Sequence, residues 1–295
     1  MPTAHEQSIG GGWWRVIKTT VSDFSGDKVT QLAAALAYYV LFSIAPLLIV
    51  VIVVTGQLFG EQAVSGELYG QLEGYVGEQG AALIQEMVKG AYRPGAGTVA
   101  SIIAVATLLL GATGVMNQLK RSLNAIWDVE APHGLQLSKL VTDRLLAFAM
   151  ILLIGVVLLA LIAFNMFISV AQTWTEQWIG WPNAVVHWAN NLASLVVVAL
   201  LFAVMFRYLP DARVGWRHAL AGAAVTSVLF TIGKYAFSWY IGRGAISSTY
   251  GAAGSVIVVL LWAYYASIIL FLGAEFTQAH ARVFGQPTGN RPQPE

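Results

Sequence analysis

Long apolar runs separated by short polar segments dominate the chain. A helix that crosses a hydrocarbon core of about 30 Å needs about 20 mostly apolar residues. Six runs reach that length, at residues 32–55, 98–116, 145–170, 184–206, 219–241 and 253–279. The fourth run is the weakest, because asparagines and a histidine crowd its start. The pattern predicts an all-α membrane protein with six transmembrane helices.

Composition points to the same class of protein. Hydrophobic residues make up 57% of the chain and charged residues 11%, and the mean hydropathy is +0.66. Soluble domains carry about 25% charged residues. The chain has no cysteine, which excludes disulfides, thiol nucleophiles and thiolate metal ligands. The net charge of +1 gives no sign of a polyanionic partner.

Lysine and arginine give the orientation, because they cluster in the cytoplasmic loops of membrane proteins. Twelve of them share one predicted side: Arg15, Lys18, Lys28, Lys120, Arg121, Lys139, Arg144, Arg207, Arg213, Arg217, Arg282 and Arg291. The predicted loops of the other side carry Lys89, Arg93 and Arg243. This bias predicts that both termini lie in the cytoplasm.

Three segments outside the spans complete the predicted organisation, in which one domain covers residues 1–284. Residues 1–31 form a cytoplasmic segment in which Trp13, Ile17 and Val21 share a helical stripe. That pattern fits a helix lying in the membrane interface, or equally one packed on other cytoplasmic helices. Residues 56–97 form an external loop long enough for one or two amphipathic helices. Residues 285–295 form a disordered cytoplasmic tail.

Glycine spacing in the external loop carries a contact signal. Gly66, Gly70 and Gly74 lie on one face of a helix, and this spacing allows close helix approach. The glycines are therefore a weak indication of an oligomer or partner contact, with a homo-oligomer or an envelope protein as the candidate partner.

Enzyme signatures are missing from the sequence. It contains no G-x-S-x-G elbow, no H-E-x-x-H, no Gly-rich phosphate loop and no Cys/His metal spacing. The five histidines lie outside the spans or at their ends, with no two close in sequence. The cytoplasmic basic residues are no more numerous than topology requires. We therefore predict no catalytic residue, no metal, no cofactor and no nucleic-acid partner.

Two charged residues lie within the predicted spans. Lys234 falls in the outer part of the bilayer, where it either snorkels towards the headgroups or faces a cavity. Glu275 lies about 30 Å along its helix from Ser255, near the cytoplasmic boundary, where we expect a modest desolvation cost. It forms either a structural ion pair or part of an inner gate. The candidate partners are Arg121, Arg144, Arg207 and Arg213.

The first span contains a proline in mid-membrane. Pro46 leaves the carbonyl of Phe42 without its usual donor, which predicts a kink. Tyr38, Tyr39 and Ser43 precede the kink, so they either line a polar cavity or belong to a packing bend.

The helical period of the second span continues beyond the membrane. Asn117, Arg121, Asn124 and Asp128 share one face of this extension. The face is either solvated or lines an inner vestibule.

Three motifs together resemble one family. They are "ALAYYVLFSIAPLL" (35–48), "GVMNQLKRSLNAIWDVE" (114–130) and "STYGAAGSVIVVLLWAYYASIILFLGAEFTQA" (248–279). Their order and spacing are similar to those of the YihY/BrkB family of bacterial inner-membrane proteins, over about residues 13–284. That family was long labelled ribonuclease BN, a label regarded as mistaken. This sequence offers neither metal ligands nor an acid/base pair to support it.

The resemblance implies export of a lipid or glycolipid, with membrane lipids as partners. The family-like motifs contain these candidate functional positions: Tyr38, Pro46, Asn117, Asn124, Tyr250, Gly251, Gly254 and Glu275. With Tyr39, Ser43 and Lys234 they form the candidate cavity or gate. The leading hypothesis is an inner-membrane transporter or flippase-like protein for a lipid or other amphiphile. The alternative is a non-transporting envelope-assembly or scaffold protein.

Overall fold

The computed structural model contains helices, turns and no strand in the residues that it describes. These are residues 4–43, 114–129, 183–241 and 254–285, with isolated positions at 69–70, 73, 81–82, 85, 149–150, 153 and 156–157. The helices are α1 (Ala4–Gly26), α2 (Val29–Ser43), α3 (residues 114–126), α4 (Asn183–Tyr208), α5 (Trp216–Ile241) and α6 (Gly254–Phe284). The all-α prediction is confirmed for this part of the chain.

Three of these helices are long and apolar enough to cross a membrane: Asn191–Tyr208, Trp216–Tyr240 and Val256–Phe284. They correspond to the fourth, fifth and sixth predicted spans, so the run that looked weakest is helical. α2 is the described part of the first span. The second and third spans, the external loop and the C-terminal tail lie outside the described residues except at their edges or at isolated positions. The count of six spans stays a prediction.

Helices α4, α5 and α6 pack in sequence order, with α5 between the other two. The short loop of residues 209–215 joins α4 to α5, and such a connection makes consecutive helices antiparallel neighbours. α2 and α3 complete one apolar core with them, in which Leu123, Phe206 and Phe271 are buried. Leu200 on α4 is half exposed, as expected of a surface that meets lipid.

α5 and α6 approach closely at two matching sites. Gly222 of α5 lies against Thr277 of α6, and Gly273 of α6 lies against Thr226 of α5. Each threonine hydroxyl donates to the glycine carbonyl one turn earlier in its own helix, at 2.7 Å in both cases. A Cβ at either glycine would overlap the facing threonine. The two helices therefore interlock, antiparallel, through the same G-x-x-x-T pattern, a small-residue contact typical of membrane helices.

α1 packs along the C-terminal half of α6. Its buried face includes Val16 and Thr20, and Val16 joins Phe276 in a small apolar cluster. Ile17 and Val21, from the predicted stripe, are instead exposed on the other side, at 49% and 64%. The two alternatives for this segment are not exclusive, because one face packs on α6 while a separate apolar face stays uncovered by described residues.

α3 ends in a tight turn at Asp128, which has a left-handed backbone (φ 52°). The N–H groups of Asp128 and Val129 donate to the carbonyls of Ala125 and Asn124, at 3.1 and 2.9 Å. This is a Schellman arrangement, in which glycine is usual at the left-handed position. Aspartate tolerates that conformation better than most residues. The turn brings the carboxylate of Asp128 to α6.

Candidate functional site

Glu275 lies where α6 meets the turn between α1 and α2. Its side chain is fully buried (0% exposed), and no N–H or O–H group of the described residues donates to either carboxylate oxygen. The carboxyl of Asp27, in that turn, is a neighbour of the Glu275 carboxyl. Two carboxyl groups bond to each other only when one of them carries a proton. The modest desolvation expected from sequence is not what the structure shows, because α1 folds back along this part of α6.

Four charged residues lie near Glu275 or are linked to it through Arg282, and together with Glu275 we call them the carboxylate cluster: Asp23, Asp27, Asp128, Glu275 and Arg282. Arg282 Nη1 lies 2.6 Å from Asp23 Oδ2, and Arg282 Nη2 lies 3.0 Å from Asp128 Oδ2. Arg282 therefore ties the end of α1 and the turn after α3 to α6. Neither oxygen of Glu275 accepts a hydrogen bond from Arg282.

The arginines that the sequence proposed as partners of Glu275 lie elsewhere. Arg207 Nη1 donates to the carbonyl of Val214 at 2.7 Å, within the α4–α5 loop region. Arg121 and Arg213 are exposed. Arg144 lies outside the described residues. The arginine whose positive charge influences Glu275 is Arg282, two turns further along the same helix.

A second set of polar contacts holds the α4–α5 loop on α3. Asn124 Nδ2 donates to Asp211 Oδ2 at 3.0 Å, and the Asp211 N–H donates to Asn124 Oδ1 at 2.8 Å. Lys120 Nζ lies 3.0 Å from Asp211 Oδ1. Asn117, on the same helix, is exposed. The polar face of α3 is thus partly a docking surface, since Asn124 and Asp128 both bind other parts of the chain.

Two histidines that are distant in sequence meet between α5 and α6. His218 Nδ1 lies 2.8 Å from His280 Nδ1, so one ring donates and the other accepts. Trp13 of α1 and Phe284 pack on the His280 ring, with centroids 5.5 and 5.0 Å away. Sequence spacing gave no indication of this pair. Among the described residues, no group of three or more His, Asp or Glu side chains is placed to hold a metal ion.

Comparison with known proteins places the chain in a family. The family model described as virulence factor BrkB matches residues 20–295. The chain belongs to the BrkB family. The match includes all five residues of the carboxylate cluster, and it confirms the family resemblance drawn from the three sequence motifs.

Three relatives show how far the similarity extends in this BrkB-family chain. The putative ribonuclease-like protein YfkH of Bacillus subtilis is 27% identical over 88% of the chain and 92% of the relative. A UPF0761 membrane protein of Haemophilus influenzae is 26% identical over 85% and 90%. A UPF0761 membrane protein of Halorhodospira halophila is 27% identical over 86% and 54%, so the chain spans only about half of that relative. No solved structure matches.

The candidate residues on α2 of this BrkB-family chain lie near its described end. Tyr38 and Tyr39 are exposed, with ring centroids 6.0 Å apart. Ser43 is buried, and its hydroxyl donates to the carbonyl of Val40 at 3.2 Å. Pro46 lies outside the described residues, so the predicted kink stays a prediction.

The remaining candidates lie on or near the last two helices. Lys234 of α5 is partly buried, and its Nζ lies 5.2 Å from the ring centroid of Tyr235. Gly254 is the first residue of α6. Tyr250 and Gly251 lie outside the described residues. Of the candidates named from sequence, Glu275 is the member of the carboxylate cluster.

Sequence reasoning missed Asp23, Asp27 and Arg282. Asp23 and Arg282 are 259 residues apart, so no local spacing indicates their contact. A weak signal did exist on α1, because Val16, Thr20, Asp23 and Asp27 recur at helical spacing. A buried stripe that ends in two acids is unusual, and it marks where the helix meets Glu275.

Proposed function

We propose that the chain is a multi-pass protein of the bacterial inner membrane that moves a lipid or another amphiphile between the leaflets. The observation that carries the proposal is Glu275, an ionisable group on a helix of membrane-crossing length that is fully buried without a described donor. Burying a carboxyl beside another carboxyl, with no described N–H group donating to it, is unfavourable, since an unsatisfied buried polar group costs about 1–3 kcal/mol, and more when it is charged. Stability therefore does not explain Glu275, and ionisable residues within spanning helices are functional candidates by default.

The aromatic surface of α2 supports an amphiphile as the cargo. Tyr38 is exposed next to Tyr39 and Phe42, with ring centroids 6.0 and 5.0 Å away. Tyr39 also packs on the start of α3, where a Cβ on Gly114 would lie 3.0 Å from its ring. Tyrosine combines an apolar ring with a hydroxyl, which suits a molecule with an acyl chain and a polar head. We infer that the cargo path runs along α2. The proposal assigns no catalytic residue and no cofactor.

The test is the movement of fluorescent lipids in vesicles that contain the purified protein. A phospholipid, an anionic phospholipid and a glycolipid are tried in turn, with a membrane-impermeant quencher added outside. The parent is expected to expose inner-leaflet lipid to the quencher for at least one class. Glu275→Gln and Tyr38→Phe are expected to lower that rate towards the rate of protein-free vesicles.

Matched controls make the same two kinds of substitution at a glutamate and a tyrosine that lie outside the carboxylate cluster and outside α2. Glu73→Gln and Tyr240→Phe alter exposed side chains, so the rate should stay at that of the parent. Parental rates in well-folded Glu275→Gln and Tyr38→Phe proteins would remove the chemical basis of the proposal. A parent that moves none of the three lipids favours the scaffold alternative, which predicts crosslinks from residues 56–97 to another envelope protein.

A further inference from the structure

The burial of Glu275 raises the question of what balances its charge. Neither oxygen receives a hydrogen bond from a described N–H or O–H group, and the side chain is closed off from solvent. A carboxylate in such a place is so unfavourable that carboxyl groups there generally take up a proton instead. The neighbour that reaches Glu275 is another carboxyl, that of Asp27.

The charged groups around the pair favour a proton over a second negative charge. Asp23 on α1 adds a negative charge near Glu275, and Arg282 on α6 adds a positive charge. Arg282 is already bonded to Asp23 and Asp128, so its charge is balanced without Glu275. Two neighbouring carboxyl groups in one enclosed site typically hold a single proton between them.

The charged groups of the other packed elements do not change this balance. α5 brings Arg217 and His218 to α6. His218 is hydrogen-bonded to His280, and the positive charge of Arg217 influences these two histidines. Lys28, next to Asp27 in sequence, is exposed. A metal ion is not a match for the site, because among the described residues no three acidic or histidine side chains are placed so that they could hold one.

We propose that Asp27 and Glu275 form a proton-binding site that couples proton movement to the proposed transport. The two carboxyl groups belong to different elements, the α1–α2 turn and α6. They share one proton while α1 is docked on α6. When the turn moves away, the shared hydrogen bond breaks and the proton passes from the carboxyl to water on the side where α1 lies. Nothing is oxidised or reduced in this step. The coupling rests on the proposed function, whereas the shared proton does not.

The shared proton is tested without any transport assay. Infrared spectra of the purified, folded protein at neutral pH should contain the carbonyl band of a protonated carboxyl, and this band should shift when glutamate or aspartate carries ¹³C. Glu275→Gln should remove the band and Asp27→Asn should shift or remove it, since either amide can still hydrogen-bond to the remaining carboxyl and keep the fold. Glu73→Gln should leave the band unchanged. Absence of a band that depends on both residues would overturn the proton site.

The coupling is tested in the lipid vesicles with a pH difference across the membrane. One pH unit corresponds to about a tenfold change in the steady-state distribution of a cargo coupled to one proton. The parent should show that change, and Asp27→Asn should show none. If the parent moves lipid to the same distribution with and without the pH difference, the coupling is overturned. A parent that moves no lipid at all would overturn the proposed function, while the infrared band would still decide the proton site.

Discussion

Arg282 is the residue through which α1, α3 and α6 are joined. Its terminal nitrogens lie 2.6 Å from Asp23 and 3.0 Å from Asp128, and the three side chains are only 18–29% exposed. Gln278, one turn earlier on α6, adds a longer contact of 3.4 Å to the same Asp128 oxygen. Charge-assisted hydrogen bonds of this kind are stronger than neutral ones. The guanidinium therefore fixes α1 against the rest of the described bundle.

Replacing Arg282 by Gln is expected to lower the free energy of unfolding by about 1–3 kcal/mol, because charge-assisted hydrogen bonds are lost and acidic groups are left together. Arg282→Lys should recover only part of the loss, since one ammonium lacks the guanidinium fork. Thermal unfolding in detergent measures the difference. Arg213→Gln, at an exposed site in the α4–α5 loop, should have little effect. An equal effect of Arg282→Gln and Arg213→Gln would contradict the role given to Arg282.

What the sequence revealed about the site was the type of residue, and what it could not reveal was the surroundings. A lone glutamate after a long apolar run identified Glu275 as unusual. Its burial depends on Asp27 and on the packing of α1, which lie at the other end of the chain. No periodicity or motif spacing connects positions so far apart. The solvation of a residue near a helix end depends on which segments pack there, and a single sequence does not show which distant segments make that contact.

At the scale of helices, length and hydropathy were enough to predict α4, α5 and α6, but not the faces through which they meet. These helices are apolar nearly all round, so no polar face points away from the contact. The close approach of α5 and α6 instead depends on Gly222 and Gly273, each facing a threonine. Glu275 lies between Gly273 and Thr277, inside the interlocked stretch. The same contact therefore holds the backbone that carries the candidate site.

The interlocked contact predicts a strong effect from one methyl group. Gly222→Ala is expected to destabilise the protein by about 1–3 kcal/mol, because its Cβ would overlap Thr277. Thr277→Ala in the same chain should recover part of that loss, since it removes the nearest atom. Thermal unfolding of the single and double variants measures the coupling. Gly11→Ala is the matched control, with nothing within 4 Å of the added Cβ. Additive effects of Gly222→Ala and Thr277→Ala would show that the helices do not meet in this way.

For the whole molecule, the charge distribution predicts a sidedness that the described helices make testable. The loop of residues 209–215 contains Arg213 and lies at the same end of the bundle as the turn after α3, to which Asp211 and Asn124 connect it. Positive residues favour the cytoplasmic side. The carboxylate cluster, which includes Asp128 of that turn, should therefore face the cytoplasm.

Single-cysteine labelling measures this sidedness directly, because the chain has no cysteine of its own. With a membrane-impermeant thiol reagent added to intact cells, Glu78→Cys in the predicted external loop should react. Arg213→Cys should react only after the cells are opened. The reverse pattern would invert the orientation, and labelling of both from outside would contradict the odd number of predicted spans between them.

The central claim is that Glu275 is retained for function and not for stability. The most direct measurement determines the thermal unfolding midpoint and the lipid-movement rate of parent and Glu275→Gln protein in the same preparations. Removing a buried carboxyl that has no described donor should leave the midpoint at or above that of the parent. The lipid-movement rate should fall to that of protein-free vesicles. A lower midpoint together with a parental rate would show that Glu275 is a structural residue and would contradict the account.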